Sequence, residues 1–173
     1  KEIVIDKLGL NKLLSSRNGV IQDVNYGIRS QYNYETADGN NKCSFTLTPK
    51  KLKQLLNECR TSDDIDIKSI EIIIAMNNAS STGDRSESLE GKWFVDTYII
   101  PEDDGTLYSF ELRQGIIRKQ MEQYMSADPA FKSLARIFIR QNIGVKTIFR
   151  GDKSGKTVEI VFTPEEINNL INK

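Results

Sequence analysis

A strand–strand–helix pattern that occurs twice limits this chain more than any other feature. The first copy begins at Asn25 and the second at Asn142, and their opening residues match at a shift of 117 positions. Further along, Phe45–Pro49 matches Ile160–Pro164 at a shift of 115, which needs a two-residue deletion in the turn between the strands. Since a repeated segment is one structural unit used twice, the sequence predicts an internal duplication of a β-β-α unit.

The two copies, at about 25–59 and 142–173, share the same local signals. Apolar and aromatic side chains alternate along the first strand of each copy, as expected for a strand with one buried face. They are Tyr26, Ile28, Tyr32 and Tyr34 in the first copy, and Ile143, Val145 and Phe149 in the second. After a second strand, Thr48 and Thr163 each precede a proline, which predicts a helix with Thr as its N-cap and Pro in its first turn.

The region between the copies predicts further strands. Ile65–Met76 is dense in isoleucine, which predicts a strand buried on both faces. The segments 92–100 and 106–112 flank a turn at 101–105 and predict a hairpin. The polar segment 77–91 predicts a long loop. Helices are predicted over 7–16, 114–125 and 130–141, the last of them capped by Asp128.

These elements predict a single α+β domain over residues 1–173. We expect a mostly antiparallel sheet of about six or seven strands, with helices packed on one face and the intervening strands within 65–112. Strands and helices do not alternate in a βαβ order, so a doubly wound parallel sheet is not expected. The composition, 38% hydrophobic and 28% charged, provides for a packed core, and no apolar run approaches the roughly 18–20 residues that span a bilayer.

The two cysteines allow two interpretations. Cys43 has the same strand parity as Phe45 and Leu47, and Cys59 ends the apolar stripe of the following helix. If that helix folds back along its strand, each cysteine lies roughly 16 Å from the junction between them. A disulfide between Cys43 and Cys59 would then close a loop of about 17 residues and stabilise the fold by about 3 kcal/mol. The alternative is two buried thiols that pack as small hydrophobic groups.

The second half of the chain carries an excess of positive charge. From Arg113 to Lys156 there are ten basic and three acidic residues, although 24 Lys and Arg balance 24 Asp and Glu overall. This uneven distribution predicts a patch that binds anions or nucleic acid. The candidate residues are Lys132, Arg136, Arg140, Lys146 and Arg150. The alternative is solvated charge on faces opposite an apolar stripe.

No residue pattern nominates a catalytic, cofactor-binding or metal-binding site. The chain has no histidine, which removes the commonest general base and transition-metal ligand. The acidic groups at 63–66 and 102–104 lack the spacing of a calcium loop. The segment Gly151–Lys156 precedes a strand, whereas a phosphate-binding loop precedes a helix. The sequence therefore favours a protein that is not an enzyme and predicts no cofactor. The alternative is an enzyme that uses carboxylates or a metal ion.

These observations favour a non-enzymatic binding or structural module that acts on an unknown protein or surface ligand. We expect it in the bacterial cell envelope or outside the cell, as a secreted or lipid-anchored protein. The sequence begins with Lys1, as after processing, and the cysteines are placed for a disulfide. The alternative is a cytosolic nucleic-acid or protein-interaction domain that uses the basic second half. The sequence identifies neither the partner nor the number of chains in the assembly.

Overall fold

The computed structural model describes residues 1–102 and 106–172. The chain divides into two compact units, Lys1–Ile73 and Ile74–Lys173, and the boundary between them falls inside a helix. The single-domain organisation expected from the sequence stays a prediction. Within the described ranges, no helix combines the length and the apolar character needed to cross a membrane.

The first unit consists of three helices, one β-hairpin and the first part of a fourth helix. In chain order these are α1 (Glu2–Ser15), α2 (Arg17–Tyr26), β1 (Ser30–Glu35), β2 (Lys42–Leu47), α3 (Pro49–Glu58) and α4 (Ser62–Ser80). Ser16 lies between α1 and α2 in an extended conformation and separates them. Its side chain accepts a hydrogen bond from the Gly19 N–H and so caps α2. α2 ends at Gly27, whose φ of +69° is a left-handed conformation that glycine adopts readily.

The core of the first unit lies among α1, α2, α3 and the end of β2. Its buried side chains are Leu10, Leu13, Val20, Leu47, Leu52 and Leu55. Gly9 lets α1 approach α3 closely, because a Cβ at this position would clash with the Leu55 side chain of α3. The core therefore covers only the Leu47 end of the hairpin, and the rest of the hairpin extends away from it.

The second unit begins with the last part of α4 and is built on a four-stranded sheet. Its further elements are β3 (Arg85–Glu90), β4 (Trp93–Ile100), α5 (Thr106–Leu112), α6 (Gln114–Ala127), α7 (Pro129–Arg140), β5 (Gly144–Gly151), β6 (Thr157–Phe162) and α8 (Pro164–Ile171). The strand order is β3-β4-β5-β6, in which β4 and β5 are parallel and the other two pairs are antiparallel. α7 covers one face of this sheet, because Phe138 packs on Phe94 with ring centroids 5.2 Å apart.

The structure confirms a mixed α+β fold and corrects its arrangement. The described residues form six strands in two separate sheets, one of two strands and one of four, where a single sheet was expected. The central pair of the larger sheet is parallel. The described part of the connection between β4 and β5 contains three helices, which gives the chain length that a parallel pair requires.

Two predicted strands are helices. Ile65–Met76 lies within α4, which begins with reciprocal hydrogen bonds between Thr61 and Asp64: the Asp64 N–H donates to Thr61 Oγ1, and the Thr61 N–H donates to Asp64 Oδ2. A run of isoleucines suits a strand or a buried helix, and the helix cap decides between them. The segment 106–112 is α5, so it forms no hairpin with β4. Residues 103–105 of the predicted turn lie outside the described residues.

The predicted long loop at 77–91 is mostly regular structure. Its first residues complete α4, and Arg85–Glu90 forms β3. The actual loop is the short segment 81–84. Polar side chains led to the wrong prediction, because β3 is an edge strand whose polar residues either face water or join the polar cluster described below.

The three helix starts that were predicted from N-cap residues agree with the structure, whereas the helix predicted over 7–16 begins earlier, at Glu2. Thr48 accepts a hydrogen bond from the Lys51 N–H, and Thr163 forms a full capping box with Glu166. Asp128 caps α7 by accepting from the Ala130 N–H at 2.9 Å. These predictions are confirmed because an N-cap depends on a few neighbouring residues only.

The two strand–strand–helix segments correspond at one constant shift of 115 positions. β2 begins at Lys42 and β6 at Thr157, and the hydrogen bond from the Thr36 N–H to the Asn41 carbonyl has its counterpart between Gly151 and Lys156, each at 2.9 Å. The deletion inferred from the sequence is therefore wrong. The predicted first strand also starts too early, because Tyr26 belongs to α2. Common ancestry of the two segments stays a prediction.

Candidate functional site

The hairpin of the first unit has an edge that no other part of the described chain occupies. Because the Thr36–Asn41 pair is hydrogen-bonded, alternation along an antiparallel ladder makes the backbone of Gln31, Asn33 and Glu35 point away from β2. All three residues are exposed. Within residues 1–102 and 106–172 no hydrogen bond reaches their outward N–H and C=O groups. We call this row the β1 edge.

One face of the hairpin is apolar and largely open. Tyr32, Tyr34, Cys43 and Phe45 share this face, and the rings of Tyr34 and Phe45 meet edge to face with centroids 5.8 Å apart. Tyr34 is 46% exposed, and Phe45 is half-buried. An isolated two-stranded sheet is marginally stable in water, so an exposed apolar face beside an unpaired edge is suited to an added strand.

The corresponding edge in the second unit is occupied. At the shift of 115, β1 corresponds to β5, whose outer edge pairs with β4 along its full length. The face that corresponds to the apolar face of the hairpin is buried there. Its residues are Val145, Thr147, Phe149, Val158, Ile160 and Phe162. Among the described residues, the same architecture therefore has a neighbouring strand in the second unit and none in the first.

Side chains cover the outer edges of the four-stranded sheet. On β3, the Asn78 amide mimics a strand, since it accepts from the Glu87 N–H at 2.7 Å and donates to the Glu87 carbonyl at 2.8 Å. On β6, Gln114 and Arg118 donate to the carbonyls of Glu159 and Val161. Protected edges of this kind prevent unwanted strand pairing. The β1 edge has no such cover within the described ranges.

A buried polar cluster links β3, β4 and the end of α4 in the second unit. Glu87 and Asp96 are cross-strand neighbours, and the Arg85 guanidinium donates to both carboxylates at 2.7–2.8 Å. The Asn77 amide donates to both oxygens of Glu87. A cavity of about 270 Å³ beside the cluster is lined by Asn77, Ser80, Ser81, Thr82, Asp84, Arg85 and Tyr98.

Burial and hydrogen bonding shift the proton affinities in this cluster. Burial raises the pKa of Glu87 and, with the Asp96 charge, raises the pKa of Tyr98 to about 12. The hydrogen bonds to Asp96 raise the pKa of Arg85. Each carboxylate is hydrogen-bonded within the cluster, so the arrangement serves first to hold α4 against β3.

The structure leaves both cysteines as free thiols and places them differently. Cys59 is buried, as the alternative of a packed thiol predicts for this residue, and burial raises the pKa of its thiol. Cys43 is exposed, which corrects the expectation that it faces the core. The helix does not fold back along its strand, because α3 packs against α1 and α2. The structure therefore does not join the two sulfur atoms.

The five candidate basic residues fall into two groups. Lys132, Arg136 and Arg140 lie on α7, which covers the Phe94 side of the sheet. The side chains of Lys146 and Arg150 point to the opposite side, since Val145 pairs with Phe94 and directions alternate along β5. Lys146 also lies over the Trp93 ring and within 3.7 Å of a Glu159 oxygen. The structure does not bring the five residues onto one surface.

The acidic groups have local structural roles. Asp64 completes the capping pair with Thr61 at the start of α4, and the Glu102 side chain accepts hydrogen bonds from the Lys153 and Ser154 N–H groups in the β5–β6 turn. Asp103 and Asp104 lie outside the described residues. Within residues 1–102 and 106–172, no group of three or more Cys, Asp or Glu side chains is arranged to hold a metal ion.

Sequence reasoning missed both the β1 edge and the polar cluster. Alternation of Gln31, Asn33 and Glu35 with the tyrosines does indicate a strand with one polar face. It does not indicate whether a third strand lies alongside, since pairing partners are distant in sequence. Glu87 was missed because it lies in the segment that was predicted to be a loop.

Comparisons with known proteins show no relative whose function could be transferred. No protein-family model matches the sequence, and no curated protein matches it. A crystal structure of a "putative secreted protein" from Pseudomonas aeruginosa aligns over 62% of this chain and 97% of its own, at 10% sequence identity and a TM-score of 0.48. A likeness at that level supports no conclusion about fold or function.

Proposed function

We propose that this protein is a non-enzymatic binding module that takes an extended polypeptide strand of its partner at the β1 edge. The observation that carries the proposal is the open row of backbone groups at Gln31, Asn33 and Glu35. In strand addition the backbone hydrogen bonds supply affinity, and alternate side chains supply specificity. A strand added here would place every second side chain over the apolar face that contains Tyr32 and Tyr34.

The second unit supports the choice of β1 over β2 as the receiving strand. β5, which corresponds to β1, pairs with a neighbouring strand, whereas β6, which corresponds to β2, has its outer edge covered by Gln114 and Arg118. We infer that the two segments derive from a duplication and that the first copy receives from a partner what the second receives from β4. An experimental structure in which the two segments fail to superpose would remove this inference.

The exported location is a further part of the proposal. With both thiols free, a disulfide adds no support to it. Fractionation of the cells that produce the protein naturally is its test: recovery in the cell envelope or the medium is expected, and recovery only with cytosolic markers would contradict it. The alternative nucleic-acid function has less support, because the basic residues face two sides of the sheet.

Peptide display with two matched proline variants tests the binding function. The Asn33 N–H points away from β2, so Asn33→Pro removes a donor from the β1 edge without breaking the hairpin ladder. Ser44→Pro makes the same change at an outward position of β2. Wild-type protein and the Ser44 variant should enrich displayed peptides that alternate apolar and polar residues, and the Asn33 variant should not. Equal enrichment by all three proteins would exclude the β1 edge as the binding site.

A further inference from the structure

The β1 edge is complementary to itself. We propose that its partner strand is β1 of a second copy of this chain, antiparallel to the first, with Asn33 on the twofold axis. This inference rests on the proposed function and names the partner. Antiparallel pairing is the form that a twofold axis imposes on two identical strands.

The register follows from the backbone. The outward residues Gln31, Asn33 and Glu35 are spaced by two, so a twofold axis at Asn33 sets Asn33 opposite the partner's Asn33. Gln31 then lies opposite the partner's Glu35, and the reverse pair forms on the other side of the axis. Each of these pairs exchanges two N–H to C=O hydrogen bonds, so all the outward groups of the row are satisfied at once.

The side chains agree with this register. Tyr32 lies opposite the partner's Tyr34 in a pair without backbone hydrogen bonds, where side chains approach most closely. The twofold axis gives two such Tyr32–Tyr34 pairs, both on the apolar face where Tyr34 already contacts Phe45. Aromatic cross-strand pairs stabilise antiparallel sheets. Four strands in the order β2-β1-β1-β2 would thereby join the two open apolar faces into one.

The charges also agree. The only charged residue in the row, Glu35, lies opposite a neutral amide, so no like charges face each other across the axis. Pairing through β2 is less favourable: centred on Ser44, it sets Lys42 opposite the partner's Thr46 and offers no aromatic pair. The complementarity therefore selects β1. The contact is small compared with stable dimer interfaces, so the dimer forms at high protein concentration.

Sedimentation equilibrium with the two proline variants tests the pairing. The wild-type chain should dimerise within a range of about 10 µM to 1 mM. Asn33→Pro should weaken dimerisation about tenfold or more, since it removes both N–H groups on the twofold axis. Ser44→Pro should dimerise like the wild type. A wild-type chain that stays monomeric, or equal weakening by both variants, would overturn the proposal.

Two variants of exposed Gln31 test the register. Gln31→Lys creates two opposite-charge pairs with the partner's Glu35, and Gln31→Glu creates two like-charge pairs. We expect the dimerisation constant to shift about two- to thirtyfold, upward for the Lys variant and downward for the Glu variant. Shifts in the same direction, or none, would contradict the register. Neither substitution touches the buried core of the unit, so the folded state is retained.

The two proposals fail in different ways. Peptide enrichment that depends on Asn33, from a protein that remains monomeric, would overturn the second-copy inference and leave strand addition intact. Absence of both enrichment and dimerisation would overturn both.

Discussion

Glu87 is a carboxylate with little contact with water. It lies on β3, faces Asp96 and accepts hydrogen bonds from Arg85 and Asn77. Burial raises its pKa against the opposing effects of Asn77 and Arg85. A carboxyl group with a raised pKa in the folded state binds its proton more tightly there than in the unfolded chain. Its ionisation therefore destabilises the fold as the pH rises through the folded-state pKa.

This sign gives a prediction for Glu87→Gln. The amide keeps the size and much of the hydrogen bonding of the acid and cannot ionise. The quantity to compare is the free energy of unfolding of the variant minus that of the wild type. This difference should be larger at pH 7 than at pH 5. Urea unfolding of both proteins at several pH values measures the difference, and Glu90→Gln, exposed on the same strand, is the matched control. A Glu87→Gln difference that stays constant with pH would contradict the assignment.

Single residues were predicted well where the physics is local. Thr48, Thr163 and Asp128 cap their helices as their sequence neighbours indicate. Cys43 was placed wrongly on the core side of its strand. Strand parity gives the face correctly, but only packing decides how far along a strand that face is covered, and the core ends near Leu47.

At the scale of elements, the Asn78 side chain makes the hydrogen bonds that a neighbouring strand would make to β3. Its side-chain amide makes both backbone hydrogen bonds to Glu87 at the edge of β3. We expect Asn78→Ala to lower the free energy of unfolding by about 1–3 kcal/mol, because a backbone N–H and a C=O lose their partners. Denaturant titration is the measurement.

A surface asparagine in another helix gives the control for Asn78. Asn57 is exposed in α3, and Asn57→Ala should change stability by less than about 0.5 kcal/mol. Similar losses in the two alanine variants would mean that the Asn78 bonds contribute nothing specific.

Two elements were assigned to the wrong class. The isoleucines of α4 and the apolar residues of α5 both suit strands, and intrinsic β-propensity is weak compared with tertiary context. Thr61 and Asp64 did carry a helix-start signal. The dense run of β-branched residues led to a strand prediction in spite of this signal. The element is 19 residues long, which is longer than a usual strand and typical of a helix.

At the scale of the whole molecule, local stability should be uneven. β4 and β5 are central strands with buried side chains, whereas the tip of the first hairpin is exposed and no described residue pairs with the β1 edge. Amide hydrogen exchange of dilute protein should be slowest in β4 and β5 and fastest in the outward amides of β1. Mass spectrometry of peptides from the two regions measures this. Comparable protection in both would contradict the open edge.

The sequence predicted the composition of the fold better than its assembly. The hairpins β1–β2 and β5–β6 and the capped helices that follow them were predicted, because their signals lie within short segments. The β3–β4 hairpin was not predicted. The division into two sheets and the parallel pairing of β4 with β5 were not. These depend on contacts between segments about 50 positions apart, which no local pattern encodes. The β1 edge belongs to this second class, since a missing neighbour leaves no mark on the strand itself.

Because β1–β2 and β5–β6 correspond at a constant shift of 115 positions, the second hairpin is an internal reference for the pairing state of the first. Asn33 and Ile148 occupy equivalent positions, one on a vacant strand and the other beside Thr97 of β4. A spectrum of dilute, monomeric protein therefore records an unpaired and a paired hairpin in the same solvent and at the same temperature. When a strand pairs with the first hairpin, the outward amides of β1 should become protected as the amides of β5 already are, although the pairing of β5 with β4 is parallel.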